Sequence, residues 1–184
     1  MFSRTWILIA LALVAGPTAE QGKKETASTR PKAGPEHEIL KDLVGSWNVT
    51  WEMPILPGNL KYTGTQENDL DVNGRWLIEK CDLPDLTGQP YSMRAITGYD
   101  PASKKYVTTR VDSLQPDLDR FVGEWNKGDK TLTWHEITDS KKGGDGQTMR
   151  LKVVDKKTYT LTLFPTGSTR DEDAIVKIEY RRTK

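Results

Sequence analysis

The chain has 184 residues, 35% of them hydrophobic, with 27 Lys and Arg against 26 Asp and Glu for a formal net charge of +1. Arg4 is the only charged side chain in residues 1–19, so without that stretch the charges balance, and nucleic-acid binding has no global electrostatic support. A single cysteine, Cys81, excludes an intrachain disulfide, and its expected role is that of a small buried hydrophobe rather than a reactive or dimer-forming thiol.

In chain order, Arg4 followed by the apolar run Trp6 to Ala15 and small residues up to Ala19 reads as a secretory signal peptide over 1–19. The run is too short to span a bilayer, so no stable membrane span is expected once it is removed, and a secreted or periplasmic location follows. Residues 20–33 are polar and aperiodic, the composition of a flexible leader. Residues 34–184 are then a single domain, of a size that buries a real core.

Ile39, Leu40, Leu43 and Val44 fall at helical spacing between Pro35 and Gly45, which predicts one short helix over Pro35 to Val44. From Leu43 to Met53 the pattern switches to period two: Trp47, Val49 and Trp51 share one face of a strand, and Asn48, Thr50 and Glu52 share the other. Two tryptophans on one face ask for a wide apolar space, which a barrel or sandwich interior supplies. Strand signals recur at Tyr62 to Val72, Arg75 to Leu83, Met93 to Tyr99, Lys105 to Asp112, Leu118 to Asn126, Thr131 to Thr138, Gln147 to Val154, Thr158 to Phe164 and Ala174 to Arg182. Asn73-Gly74 predicts a two-residue hairpin, Pro84 to Pro90 a loop, and Asp100 to Ser103 a turn. Strands and helices do not alternate, so a parallel sheet is excluded, and consecutive hairpins favour closure, which removes exposed edges. The expected fold is all-β: an up-and-down antiparallel barrel of about 8–10 strands with one short N-terminal helix, a sandwich being the alternative.

The motifs that carry chemistry are incomplete. Asp69 to Gly74 opens like a calcium loop, but the twelfth position, where a bidentate carboxylate belongs, is Lys80. His37-Glu38 begins a zinc-protease motif that fails at Lys41, and with two histidines and one cysteine a structural zinc is not expected. His135 alternates with Leu132 and Trp134 so as to face outward, away from where a haem ligand would have to be. No metal site or cofactor is therefore expected. Asn48-Val49-Thr50 is a formal glycosylation acceptor inside a strand, a chance match. Glu79, Arg110, Glu124 and Glu136 would matter to catalysis only if they converge in a lumen; otherwise they are the solvated face of half-buried strands.

The motifs GPEHEILKDLVGSWNV (34–49), NGRWLIEK (73–80), ITGYDPASKKYV (96–107), FVGEW (121–125), KTLTW (130–134) and IEYRR (178–182) together resemble the uncharacterised bacterial family called domain of unknown function 1579. That resemblance implies a secreted or envelope protein with a calycin-like barrel and no established activity. Gly45-Ser46-Trp47 is also similar to the Gly-x-Trp of lipocalins, in which the tryptophan closes one barrel end against a basic residue of the last strand. Val176, Ile178, Tyr180 and Arg182 share a face, which makes Arg182 the expected clamp partner of Trp47, with Arg181 the alternative if the strand bulges.

The functional expectation is an exported barrel binding a small, partly apolar molecule in its lumen, lined by some of Trp51, Trp76, Trp125 and Trp134. The alternatives are a packed structural or protein-interaction module of the cell envelope, and an enzyme using carboxylates in the lumen. Trp76 and Ile78 compete with Leu77 and Cys81 for the interior of their strand, a choice that one bulge would reverse.

Overall fold

The computed structural model describes residues 33–71, 73–138 and 146–183. The expected signal peptide and residues 20–32 of the leader lie outside them.

Ten antiparallel strands form one closed barrel: β1 (Gly45–Met53), β2 (Leu60–Asp71), β3 (Trp76–Leu86), β4 (Gln89–Asp100), β5 (Lys105–Asp112), β6 (Asp119–Asn126), β7 (Thr131–Glu136), β8 (Gln147–Val153), β9 (Thr158–Pro165) and β10 (Val176–Arg182). Each strand pairs with its sequence neighbours, and β1 pairs with β10 to close the ladder. Four-residue connections at 72–75, 101–104, 127–130 and 154–157 crowd one end, the base, while the connections at the mouth run up to ten residues. Side-chain acceptors build two of the base turns: Asp100 takes the N–H groups of Ala102 and Ser103, and Asn126 takes those of Gly128 and Asp129.

The predicted hairpin at Asn73-Gly74 is present, but β2 and β3 close at Asp71 and Trp76, so its loop has four residues and not two. Asn73 and Gly74 take φ of 63° and 75°, the left-handed conformation both residue types tolerate. The predicted loop at Pro84 to Pro90 is a correction: β3 and β4 run through it and turn only at Thr87-Gly88. Pro84 is tolerated because β2 and β3 separate beyond Thr65 paired with Asp82, and Pro90 because β4 has no β5 partner before Met93; Leu60–Gly64 then pairs only with β1, and Leu83–Leu86 only with β4. The wall is split there by a seam that opens toward the mouth.

The base is plugged. A 3₁₀ turn (Pro35–His37) runs into α1 (Glu38–Asp42), and Ile39, Leu40 and Leu43 are buried in the core. The turn is held by the Tyr106 hydroxyl donating to the Glu36 carbonyl and by the Gly34 N–H donating to His37 Nδ1. The Leu43 carbonyl, orphaned at the end of the helix, accepts from Trp47 Nε1 at 3.0 Å and Asn68 Nδ2 at 2.9 Å. Trp47 pairs in register with Arg182, whose guanidinium lies 4.2 Å from the indole centroid. That guanidinium also donates to the carbonyls of Asp42, Val44 and Lys156. Gly45 sits at φ 127°, and a Cβ there would come 2.5 Å from Arg182 Nη1, so this glycine is required twice over.

The outer wall has its own small core. Phe164 points outward yet is fully buried, because the 166–175 segment folds back over β8 and β9. Arg150 lies over the Phe164 ring at 4.9 Å while donating to the Thr169 carbonyl and pairing with Asp171.

Trp47→Ala is expected to cost about 3–5 kcal/mol of unfolding free energy, as removal of a buried aromatic does. Arg182→Lys, which keeps the charge but not the three-carbonyl fork, is expected to cost about 1–3 kcal/mol. Urea denaturation reads both, and an unchanged transition in Trp47→Ala would show that the clamp does not support folding.

Candidate functional site

Cross-strand register fixes which side chains face the lumen. Trp47, Val49 and Trp51 of β1 share their face with Gly64, Gln66 and Asn68 of β2, then Leu77, Glu79, Cys81 and Leu83 of β3. The set continues through Tyr91, Met93, Ala95 and Thr97 of β4, and Thr108 and Arg110 of β5. Phe121, Gly123, Trp134, Met149, Leu163, Ile178 and Tyr180 complete the circuit.

Of the four tryptophans expected in the lumen, two are buried within it: Trp51, edge-to-face on Tyr91 with centroids 5.0 Å apart, and Trp134, whose indole lies across Gly123. Trp125 faces inward but half-exposed, at the base beside the β6–β7 turn. Trp76 is a correction. It faces outward, because Leu70 and Leu77 pair on the inner side, and its ring covers Gly98, where a Cβ would come 2.4 Å from Cε3.

Toward the base the interior is solid. Tyr159 stacks on Tyr180 at 4.1 Å and meets Trp47 edge-on at 4.6 Å. Gln66 Nε2 donates to Asn68 Oδ1 (2.9 Å), Glu79 Oε1 (3.3 Å) and the Tyr159 oxygen (3.3 Å), and Thr97 Oγ1 donates to Glu79 Oε2 (3.0 Å). Thr97 and Thr108 share a further bond at 2.9 Å, so the polar belt runs from β2 through β5 and reaches Tyr159 of β9. Burial pushes the Glu79 carboxyl above its ordinary 4.5, outweighing the bonds from Thr97 and Gln66 that favour its anion. Cys81 is fully buried, and desolvation, with Asp82 and Glu79 nearby, pushes its thiol up to about 12, so it is no nucleophile.

Toward the mouth, Arg110 donates from Nε (2.9 Å) and Nη2 (2.6 Å) to one Asp119 oxygen, and Gln115 Nε2 reaches both oxygens at 3.1 and 3.0 Å. The remaining candidates for acid-base work do not converge on Glu79. Arg110 is spent on Asp119, Glu124 lies outside with Lys105, and Glu136 accepts the Gln147 N–H at 2.9 Å. His135 is exposed, 3.2 Å from Thr148 Oγ1.

A hollow of about 710 Å³ lies at the seam, within the size range of small-molecule sites. Its rim is outward and polar, including Thr50, Thr63, Thr65, Asp82 and Ser92, with Pro84 and Pro90. Beneath it lie Val49, Gly64, Leu83 and Tyr91, inward residues of which the three side chains are buried. At Gly64 the β2 backbone lies so close to β3 that a Cβ would come 2.3 Å from the Asp82 carbonyl oxygen. A second hollow of about 740 Å³ lies at the base beside Trp125, with a polar lining that includes Glu124, Lys127 and Asp129.

Residues 32–182 match the family model described as protein of unknown function DUF1579. The chain belongs to that family. Among curated proteins none matches the sequence. The DUF1579 barrel is similar to the S-type phycobiliprotein lyase CPES from Guillardia theta, at 10% identity and TM-score 0.50 over 81% of this chain and 93% of that one. It is also similar to a de novo designed fluorescence-activating β-barrel, at 13% identity and TM-score 0.45 over 78% of this chain and 96% of the design. At such identities the lyase likeness speaks to the fold alone. No helix among the described residues of this DUF1579 chain is long and apolar enough to cross a membrane.

Sequence reasoning missed the polar belt, since Gln66, Asn68 and Tyr159 read as ordinary strand residues. The available signal was two adjacent strands with polar groups at inward parity. Because the folded state holds the Glu79 proton more tightly than the unfolded chain does, its stabilising contribution is full below pH 4.5 and is lost as pH rises through the raised value. Glu79→Gln is expected to gain stability relative to the parent progressively above pH 4.5, read from urea denaturation of both chains between pH 4 and 8.

Proposed function

We propose that this protein reversibly binds a small, partly apolar molecule, admitted through the seam between β2 and β3 and held in the mouth half of the lumen. The observation that carries this reading is the seam hollow, whose polar rim lies over the inward residues Val49, Leu83 and Tyr91. Tyr91 touches Trp51 inside the barrel, so a guest that displaces the Tyr91 ring meets an aromatic wall. The base half, plugged by the helix and filled by the Trp47, Tyr159 and Tyr180 rings, offers a guest no room. Exposed Ile55, Leu60, Leu114, Leu118 and Ile137 on or beside the mouth connections give an apolar approach to that end. The same proposal takes residues 1–19 as an export signal, which would place the barrel outside the cytoplasm.

The test is a fluorescence titration of the chain with N-phenyl-1-naphthylamine, an uncharged probe that brightens in apolar surroundings. Saturable binding near one probe per chain is expected. Thr65→Trp, which fills the seam from its exposed rim, is expected to weaken it at least tenfold, and Lys152→Trp on a distant stretch of outer wall is expected to leave it intact. Equal binding by Thr65→Trp and the parent would sink entry through the seam. A chain that takes up no probe while keeping its melting transition belongs instead to the class of packed interaction modules.

A further inference from the structure

Among the described residues, four buried side-chain polar atoms have no hydrogen-bond partner: Trp51 Nε1, Gln66 Oε1, Trp134 Nε1 and Gln147 Oε1. All four belong to inward positions, fixed by the registers that join β1 to β2 and β7 to β8. Those two hairpins are separated on one side by β9 and β10 and on the other by β3 to β6, so the unpaired groups come from opposing walls. Unpaired buried groups are uncommon enough that each asks for an explanation.

The two indoles are the more demanding pair. An indole N–H is only a donor, with no rotamer that lets it accept instead, and Trp51 and Trp134 are 8% and 4% exposed. The polar belt has bonded its own groups to one another: the Asn68 oxygen takes Gln66, the Glu79 oxygens take Gln66 and Thr97, and the Tyr159 oxygen takes Gln66 and Asn68. Trp47 shows the contrast, since the same N–H at the base is given the Leu43 carbonyl at 3.0 Å. Charge does not substitute for an acceptor. Among the described residues the mouth cation Arg110 is already bound to Asp119, so it is not available to an anionic guest.

We infer that the guest is a neutral carbonyl compound on a flat apolar frame, such as an aryl ketone or quinone, whose oxygen accepts from the indole N–H of Trp51 or of Trp134. This rests on the lumen reading above. The rings supply apolar contact to the frame, and the N–H groups read the oxygen. A hydrocarbon of the same shape fills the same space but leaves both donors unpaired, and a site built to hydrogen-bond rejects such an analogue.

Equilibrium dialysis of the full chain against 9-fluorenone and against fluorene, which share a ring skeleton and differ by the one carbonyl, tests this directly. Fluorenone is expected to bind at least tenfold more tightly than fluorene, after correction for the partition of each compound between water and octanol. Trp51→Phe and Trp134→Phe, singly and together, keep a ring and remove the donor; the preference is expected to fall in the single variant that loses the bonded donor and to vanish in the double one. The parent ratio needs no variant, so a folding defect in the double variant leaves the test intact. Equal corrected affinities in the parent, or a preference that survives in a folded double variant, overturn the carbonyl inference while the lumen reading stands. Binding of neither compound overturns this inference, and if N-phenyl-1-naphthylamine is refused as well the lumen reading falls with it.

Discussion

The join between β1 and β10 is the constraint on which the rest of this molecule depends. A ten-stranded sheet left open would expose two unpaired edges and would have no inside, because a side chain's face acquires meaning only when the ladder returns to its start. Arg182 stands at that join. Its guanidinium covers the Trp47 indole and takes carbonyls from the end of the helix and from the β8–β9 turn, so helix, first strand, last strand and a base turn share one residue. The orphan carbonyls at the end of the short helix are thereby satisfied, and the helix is fixed as a stopper.

Closure then divides the interior into two kinds of space. Near the base, aromatic rings and the amide and hydroxyl network fill the section and leave few polar atoms unpaired. Glu79 belongs to that network: its two oxygens accept from Gln66 and Thr97, and burial pushes its carboxyl pKa up. Near the mouth, the buried Arg110–Asp119 pair lies beside the Phe121 ring. Breaking such a pair by removing Asp119 would strand a guanidinium at a cost of about 3–5 kcal/mol, so the pair also fixes the loop that carries Gln115.

How much of this could be read from the residues varied with how strongly each strand alternates. β1 was legible because Trp47, Val49 and Trp51 alternate with Asn48, Thr50 and Glu52, and β10 because Val176, Ile178 and Tyr180 lead by period two to Arg182. The barrel and its short helix followed from the chain of hairpins. β3 was not legible, since Trp76 and Ile78 are as apolar as Leu77 and Cys81. Gly98 on the neighbouring strand decided the matter by giving the Trp76 indole a place to lie on the outside. β2 was harder still: its inward residues Gly64, Gln66 and Asn68 carry no apolar signal, and only the register with β1 and β3 shows that they face the lumen. The seam was hidden because Pro84 and Pro90 suggest a loop, whereas they mark strands freed from a ladder partner.

The simple order of the strands also bears on how the chain reaches this state. Nine of its ladders join consecutive strands through connections of no more than ten residues, and a single ladder joins partners separated by nearly the whole domain. The entropy of loop closure is therefore concentrated in one event, while the meander from β1 to β10 can grow by local steps. Until that event occurs, the facing edges of β1 and β10 are both unpaired, and two chains at that stage can satisfy each other as readily as themselves. Exchange of edges between molecules is thus the characteristic hazard of this architecture during folding.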